Sequence, residues 1–308
     1  MPQANRVYES VMDLIGGTPL VRIRKFEGLD RVRLYAKLEF LNPGGSVKDR
    51  IGPHMIRAAE MQGKLRPGGT IIEPTAGNTG IGLALAALER GYRLILVVPQ
   101  HFSQEKQTLM RALGAEIVNT PREKGMAGAI EKAKELAAQI ENSFVPQQFA
   151  NPANPQAHYD TTGPEIYEQL QGRIDVFVAG VGTGGTFTGT ARYLKEQIPG
   201  LRAVAVEPEG SILCGGEPGP HRTEGIGVEF IPETLDTGLI DKVYTVSDDD
   251  AFAMVKELAR REGILCGSSA GAAFYAAWHE AKQAPDGSTI VVVFPDSSER
   301  YLSKGIYD

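Results

Sequence analysis

The chain has 308 residues, 42% hydrophobic and 23% charged, with 32 basic against 38 acidic side chains and a formal charge of −6. This is the composition of a globular chain that buries a core without disulfides or metals. The acidic balance argues against nucleic acid as the main partner, and no apolar run approaches the roughly 18 residues of a membrane span. Cys214 and Cys266 have no CxxC or Cys/His spacing, so neither a disulfide framework nor a metal site is read, and both are expected as small buried residues. The N-terminus shows no basic-then-apolar leader pattern, and the expected compartment is the cytoplasm.

The first notable stretch is "NPGGSVKDR", residues 42–50, with two glycines and a lysine ahead of a helix-like run. A lysine in the first turn of a helix faces the positive end of the macrodipole, so it calls for a bound anion, a covalent partner or solvent.

Short β-branched, apolar runs predict strands at 70–74, 94–99, 116–120, 175–180, 203–208, 243–247 and 290–295. Helical periodicity predicts helices at 78–90, 103–113, 124–140, 185–197, 248–262 and 270–283. Ser247 reads as an N-cap followed by three acids, and Gly114 as a left-handed helix end. The alternation means an α/β fold with twisted parallel sheets flanked by helices. The stretch 145–165 lacks periodicity and holds three prolines before Gly163. It reads as a boundary near 146–160 between two α/β lobes with a cleft between them, and the first forty residues are assigned to neither lobe.

Ligands of open α/β sheets sit at the carboxyl ends of strands, where helix N-termini present N–H groups. Two turns qualify. In "EPTAGNTG" (73–80), Thr75, Gly77, Asn78 and Thr79 offer N–H groups, hydroxyls and an amide suited to a carboxylate; a simple capped turn is the plain alternative. In "GVGTGGTFTG" (180–189), Gly182, Gly184 and Gly185 let the backbone close on an anion, and Thr183 and Thr186 add hydroxyls. It departs from G-x-G-x-x-G and lacks a P-loop ending, so a single-phosphate cradle fits better than a dinucleotide site; a purely structural turn stays open. A phosphate site, a carboxylate site and an oddly placed lysine together suit pyridoxal 5'-phosphate (PLP) with an amino-acid substrate.

The motifs "IGGTPLVRI" (15–23), "NPGGSVKDR", "PTAGNTG" (74–80), "QQFANPANP" (147–155), "GTGGTFTG" (182–189), "EGIG" (224–227) and "PDSSERYLS" (295–303) resemble, in order, the cysteine synthase and cystathionine β-synthase family. The resemblance runs over essentially the whole chain. It implies a fold-type II PLP enzyme, tryptophan synthase β-like, with two open, mostly parallel sheets. It implies a smaller mobile domain over 45–148 and a larger domain, binding the cofactor phosphate, over 1–44 and 149–308.

By the same resemblance Lys48 is the lysine of the internal aldimine and the later general base. Gly182, Thr183, Gly184, Gly185 and Thr186 hold the phosphate. Asn78 meets the ring hydroxyl oxygen and Ser269 the pyridine nitrogen, while Thr75, Ala76, Gly77, Thr79 and Gln148 bind the substrate carboxylate. No metal is implied, and the family is usually homodimeric. The implied reaction is β-replacement on O-acetylserine or serine through an α-aminoacrylate.

The thiol is harder to read. "EPEGSIL" (207–213), "EGIGVEFIP" (224–232) and Ala76 resemble bacterial O-acetylserine-dependent cystathionine β-synthases, whereas "PGPH" (218–221) resembles ordinary cysteine synthases. In the first reading Glu224, beside Gly225, receives the amino group of homocysteine where cysteine synthases carry glutamine; a plain rim acid facing water is the alternative. Homocysteine, giving cystathionine, is therefore the expected thiol, with sulfide, giving cysteine, as the second. The chain lacks the C-terminal regulatory domains of animal relatives, so control by an adenosyl ligand is not expected.

Overall fold

A computed structural model describes residues 7–75, 77–100 and 102–308. In chain order the strands are β1 (Leu20–Ile23), β2 (Arg33–Leu38), β3 (Thr70–Pro74), β4 (Arg93–Pro99), β5 (Glu116–Thr120), β6 (Ser143–Phe144), β7 (Val176–Gly180), β8 (Arg202–Pro208), β9 (Lys242–Val246) and β10 (Thr289–Phe294). The α-helices are α1 (Ile51–Met61), α2 (Asn78–Arg90), α3 (Gln104–Ala112), α4 (Gly125–Gln139), α5 (Ala153–Ala157), α6 (Gly163–Leu170), α7 (Gly185–Gln197), α8 (Asp248–Glu262) and α9 (Ser268–Gln283). The chain divides into two compact units, one of Gly16–Val47 with Asn154–Asp308, the other of Val7–Ile15 with Lys48–Ala153. The chain crosses from the first of these units to the second inside "NPGGSVKDR", between Val47 and Lys48.

The first unit carries a six-stranded sheet, ordered β1-β2-β10-β7-β8-β9 and parallel except for β1. Its strands are buried on both faces. Val176 and Val178 point to one core cluster with Phe274 and Phe294, while Phe177 and Ala179 point to another with Phe187. This two-sided burial is why β7, β8 and β10 read as continuous apolar runs rather than alternating ones. The second unit carries a parallel four-stranded sheet, ordered β5-β4-β3-β6, with α4 packed through Ala129 and Ala133 on Ile72, Ile95 and Val97.

Both sheets have one point where the strand order reverses. In the second unit β3, β4 and β5 run outward one way and β6 returns to the other side of β3. In the first, β7, β8 and β9 run one way and β10 returns to the other side of β7. Loops leaving the two strands at such a point diverge and leave a crevice at their carboxyl ends. The four loops concerned are residues 75–77 after β3, 145–152 after β6, 181–184 after β7 and 295–297 after β10.

Helix ends follow their sequence signals. The Ser247 hydroxyl accepts the Asp250 N–H ahead of α8, whose first turn is Asp248, Asp249 and Asp250, and Gly114 adopts φ +87° after α3.

Other regions depart from expectation. Residues 145–165 read as non-periodic, yet the chain is helical from Ala153: α5 passes into a π-helical turn, His158–Thr162, and then α6. Pro155 sits in the first turn of α5, where a missing N–H does no harm, and Pro164 follows the π turn. The π turn shifts the helical phase, which erases the 3.6-residue pattern. Strand β2 leaves no continuous apolar run in the sequence, since Lys37 interrupts it. That lysine is fully buried and donates to Thr18 O (2.7 Å), Glu165 Oε2 (2.7 Å) and Gln169 Oε1 (3.1 Å). Lys48 does not lie in the first turn of α1: Val47–Asp49 forms a separate 3-10 turn and Arg50 is the N-cap. Cys266 is buried as expected, but Cys214 is exposed, in the loop that follows β8.

Candidate active site

In the second unit the candidate residues gather around the start of α2 and the β3/β6 reversal point. Strand β3 ends at Pro74, and α2 opens with Gly77 as N-cap and Asn78 as its first residue. The first N–H groups of a helix have no intrahelical acceptor and face an anion readily. Thr75 is buried; its Oγ1 accepts the Gly77 N–H (3.3 Å) and so shapes the turn. The buried Thr79 hydroxyl donates to Gln148 Oε1 at 2.6 Å, joining the start of α2 to the loop after β6. Ala76 lies outside the described residues.

Lys48 reaches this region through a backbone contact that the sequence did not reveal. Gly82 lies one helical turn along α2 from Asn78, on the same face, and a Cβ there would stand 2.3 Å from the Lys48 carbonyl oxygen. Gly52 meets the same helix, its Cβ position 2.4 Å from Gly82 O. Gly82 therefore lets the 3-10 turn lie directly on the helix backbone, while Gly80 makes room for Met110 and Leu96. Lys48 is half-buried.

Glu73 is buried near the end of β3. Its Oε2 accepts the Gln147 N–H (3.0 Å) and its Oε1 the Gln148 N–H (3.2 Å). Burial pushes its carboxyl up to about 7, with the two N–H bonds pulling the other way.

In the first unit the second group gathers at the β7/β10 reversal point. The loop after β7 leads into α7, with Gly184 as N-cap at φ +85° and Gly185 as its first residue. Its glycines also serve packing. A Cβ on Gly182 would stand 2.4 Å from Gly225 O, one on Gly184 2.6 Å from Leu235 Cβ, and one on Gly185 1.9 Å from Asn154 Oδ1. Both threonines of the loop are held by residues that sequence reasoning missed. Asn154 Nδ2 donates to Thr183 Oγ1 (2.9 Å), and His158 Nε2 pairs with Thr186 Oγ1 (3.2 Å). Asn154 and His158 are four residues apart, and that spacing was the available signal. On another side Thr234 Oγ1 donates to Thr183 O at 2.5 Å.

Ser269 and Glu224 belong to this same group. Ser269 is buried in the first turn of α9, and a Cβ on Gly225 would stand 3.9 Å from its Oγ. The Glu224 N–H donates to Ser268 Oγ (3.0 Å), which fixes the "EGIG" turn against α9. The Glu224 carboxylate, 27% exposed, is ion-paired with Lys304. The loop after β10 completes the group: Gly267 N–H donates to Asp296 O (3.0 Å), Cys266 bridges Ser297, and Arg300 binds Gly44 O. Lys304 and Arg300 both lie in or beside "PDSSERYLS", but nothing in the motif alone told which loop each would hold.

The family described as "Pyridoxal-phosphate dependent enzyme" matches residues 11–296. A Bacillus subtilis protein named O-acetylserine dependent cystathionine beta-synthase is 57% identical over 302 residues, 98% of each chain. A Helicobacter pylori cysteine synthase is 54% identical over 306 residues, 98% of this chain and 99% of the relative. Among solved structures, an O-acetylserine dependent cystathionine beta-synthase from Helicobacter pylori superposes with a TM-score of 0.92 at 53% identity, covering 98% of this chain and 100% of its own. With two α/β sheets like theirs and likeness along its full length, the chain belongs to the pyridoxal-phosphate-dependent enzyme family.

Proposed function

We propose that this enzyme replaces the β-substituent of O-acetylserine by a thiol, with homocysteine as the preferred thiol and cystathionine as the product. The observation that carries the thiol choice is the Glu224 carboxylate, on a residue whose backbone N–H donates to Ser268 Oγ and whose neighbour Gly225 lies against Ser269. An amino-acid thiol brings an ammonium group that a carboxylate attracts, and sulfide brings none. The name of the Bacillus subtilis relative agrees with this reading.

The donors fit PLP. The start of α7 offers N–H groups and the Thr183 and Thr186 hydroxyls, a set suited to one phosphate. Ser269 offers a hydroxyl at a helix N-terminus, whose partial positive charge disfavours a protonated ring nitrogen, so a neutral hydroxyl is the apt partner there. Asn78 supplies an amide for the ring hydroxyl oxygen. Lys48 supplies the amine, half-buried and so reachable. When bound, PLP supplies the electron sink that makes the substrate Cα–H acidic and the β-substituent labile.

The chain's residues do the rest. Gly77, Thr75 and Thr79 line the turn that receives the substrate carboxylate, and Gln148 joins it from the loop after β6. Lys48 takes the Cα proton as general base; desolvation lowers the pKa of such an amine toward neutrality. The reading carries with it a homodimer in the cytoplasm; among the described residues, no helix is long and apolar enough to cross a membrane.

Cysteine synthesis from sulfide is the second reading, favoured by "PGPH" at 218–221 and by the Helicobacter pylori relative's name. Steady-state kcat/KM for homocysteine and for sulfide, each with O-acetylserine and with serine, separates the two. A clear preference for sulfide overturns the first reading.

A further inference from the structure

We infer that Glu73 is a positioning residue for the substrate-carboxylate subsite, acting through the backbone of Gln147 and Gln148. The inference rests on the subsite assignment above and goes beyond it, because Glu73 lies on β3 rather than on the turn.

Glu73 stands on β3, and the residues it binds stand in the loop after β6, the other strand that flanks the β3/β6 reversal point. The loop after β3 carries Thr75 and Gly77; the loop after β6 carries Gln148. Two loops that diverge at a reversal point need a tie to act as one site. Glu73 is such a tie, with one carboxylate oxygen on each of two consecutive N–H groups. Thr79–Gln148 is a second tie, side chain to side chain.

The loop needs holding. Gln147 has φ +57°, a left-handed conformation that a residue with a Cβ adopts at a cost. Its neighbours make the turn locally: Ala150 and Asn151 N–H both donate to Gln147 O (2.9 Å each), and Asn151 Nδ2 donates to Pro146 O (2.8 Å). One side of it opens on a surface pocket of about 600 Å³ lined by Ala58, Gln62, Lys64, Pro146, Gln147 and Ala150, and the Glu73 carboxylate holds it from the β3 side.

The same device recurs at the end of β8, in the other "Glu-Pro" of the chain preceded by apolar residues. There the buried Glu207 accepts the N–H groups of Leu213 (2.8 Å) and Cys214 (3.1 Å). A strand ending in Glu-Pro thus twice fastens a later loop by two successive N–H groups.

The test is Glu73→Gln in the holoenzyme. An amide accepts one N–H but sets its own N–H₂ against the other. The expected result is a KM for O-acetylserine raised at least tenfold, with kcat within threefold, KM for the thiol unchanged and full cofactor absorbance. Glu73→Asp should fall between. In a double-mutant cycle, Glu73→Gln adds less than a twofold loss on top of Gln148→Ala. Independent, multiplying losses overturn the inference, as does a fall in cofactor content with thiol KM and kcat moving alike. If Glu73→Gln does not fold, the cycle runs in a Gln147→Gly background, where φ +57° is unstrained. The donor reading is tested apart: wild-type enzyme that does not turn over O-acetylserine refutes that reading. The inference is then decided by the absorbance titration with L-serine, where Glu73→Gln should bind at least tenfold more weakly than wild type.

Discussion

Lys304 is ion-paired with Glu224, the acid whose backbone Ser268 fixes beside Ser269. The carboxylate proposed to recognise an amino-acid thiol therefore already has a cation. A homocysteine ammonium must compete with Lys304, whereas hydrosulfide, an anion, meets a neutralised rim. Glu224→Gln should lower kcat/KM for homocysteine more than for sulfide, and equal losses remove Glu224 from thiol choice. Lys304→Ala should shift the homocysteine-to-sulfide ratio upward. Part-exposed pairs contribute up to about 1 kcal/mol, so the shift should reach about fivefold at most.

Lys48→Ala should abolish the visible absorbance that the lysine-bound cofactor gives to the purified protein. It should lower turnover by about 10²–10⁴-fold or more, the range of a lost general base. Retained absorbance with full turnover would place the covalent lysine elsewhere.

The parts legible in the sequence were those governed by local pattern. Strand β3 and helices α2, α7 and α8 fall where periodicity and capping residues place them, because two-sided burial and a Ser or Gly cap leave a direct mark. The glycine-rich turns were legible as strand-to-helix turns for the same reason. What escaped was set by contacts distant in sequence. Lys37 breaks an apolar run that only its partners Glu165 and Gln169 make tolerable inside a core. Gly82 reads as a small residue in an apolar helix until the Lys48 backbone is laid on it. Asn154 and His158 bear on the loop after β7 only because α5 and the π turn pack on α7, where Gly189 meets Pro155 O.

Two glycines of the site should respond in opposite ways to alanine. At Gly82 the new Cβ would lie 2.3 Å from the backbone oxygen of Lys48, which cannot rotate away. Gly82→Ala should destabilise by about 1–3 kcal/mol, the usual range for overpacking, and should lower cofactor binding by shifting Lys48. At Gly77, φ is −119° and nothing stands within 4 Å of a Cβ. Gly77→Ala should leave the melting temperature nearly unchanged while raising KM for the amino-acid substrate, since the methyl group enters the carboxylate turn. Equal thermal losses in both variants would contradict this account.

The buried Glu73 carboxyl gives the second unit a pH dependence of definite sign. Burial raises it from the ordinary 4.5 to about 7, against the opposing pull of the Gln148 and Gln147 N–H groups. Between those two values the folded chain keeps a proton that the unfolded chain has lost, so stability falls as pH rises. The contribution is fully present below about 4.5 and is lost by the time pH has passed about 7. At about 1.4 kcal/mol per pH unit, the swing between pH 5 and pH 8 is on the order of 2–3 kcal/mol. Glu73→Gln carries no proton to lose. The difference in urea-unfolding free energy, wild type minus variant, should therefore decrease from pH 5 to pH 8 by about that amount, while other titrating groups cancel. A difference that stays flat would mean that Glu73 remains ionised in the fold and that its two N–H bonds outweigh its burial.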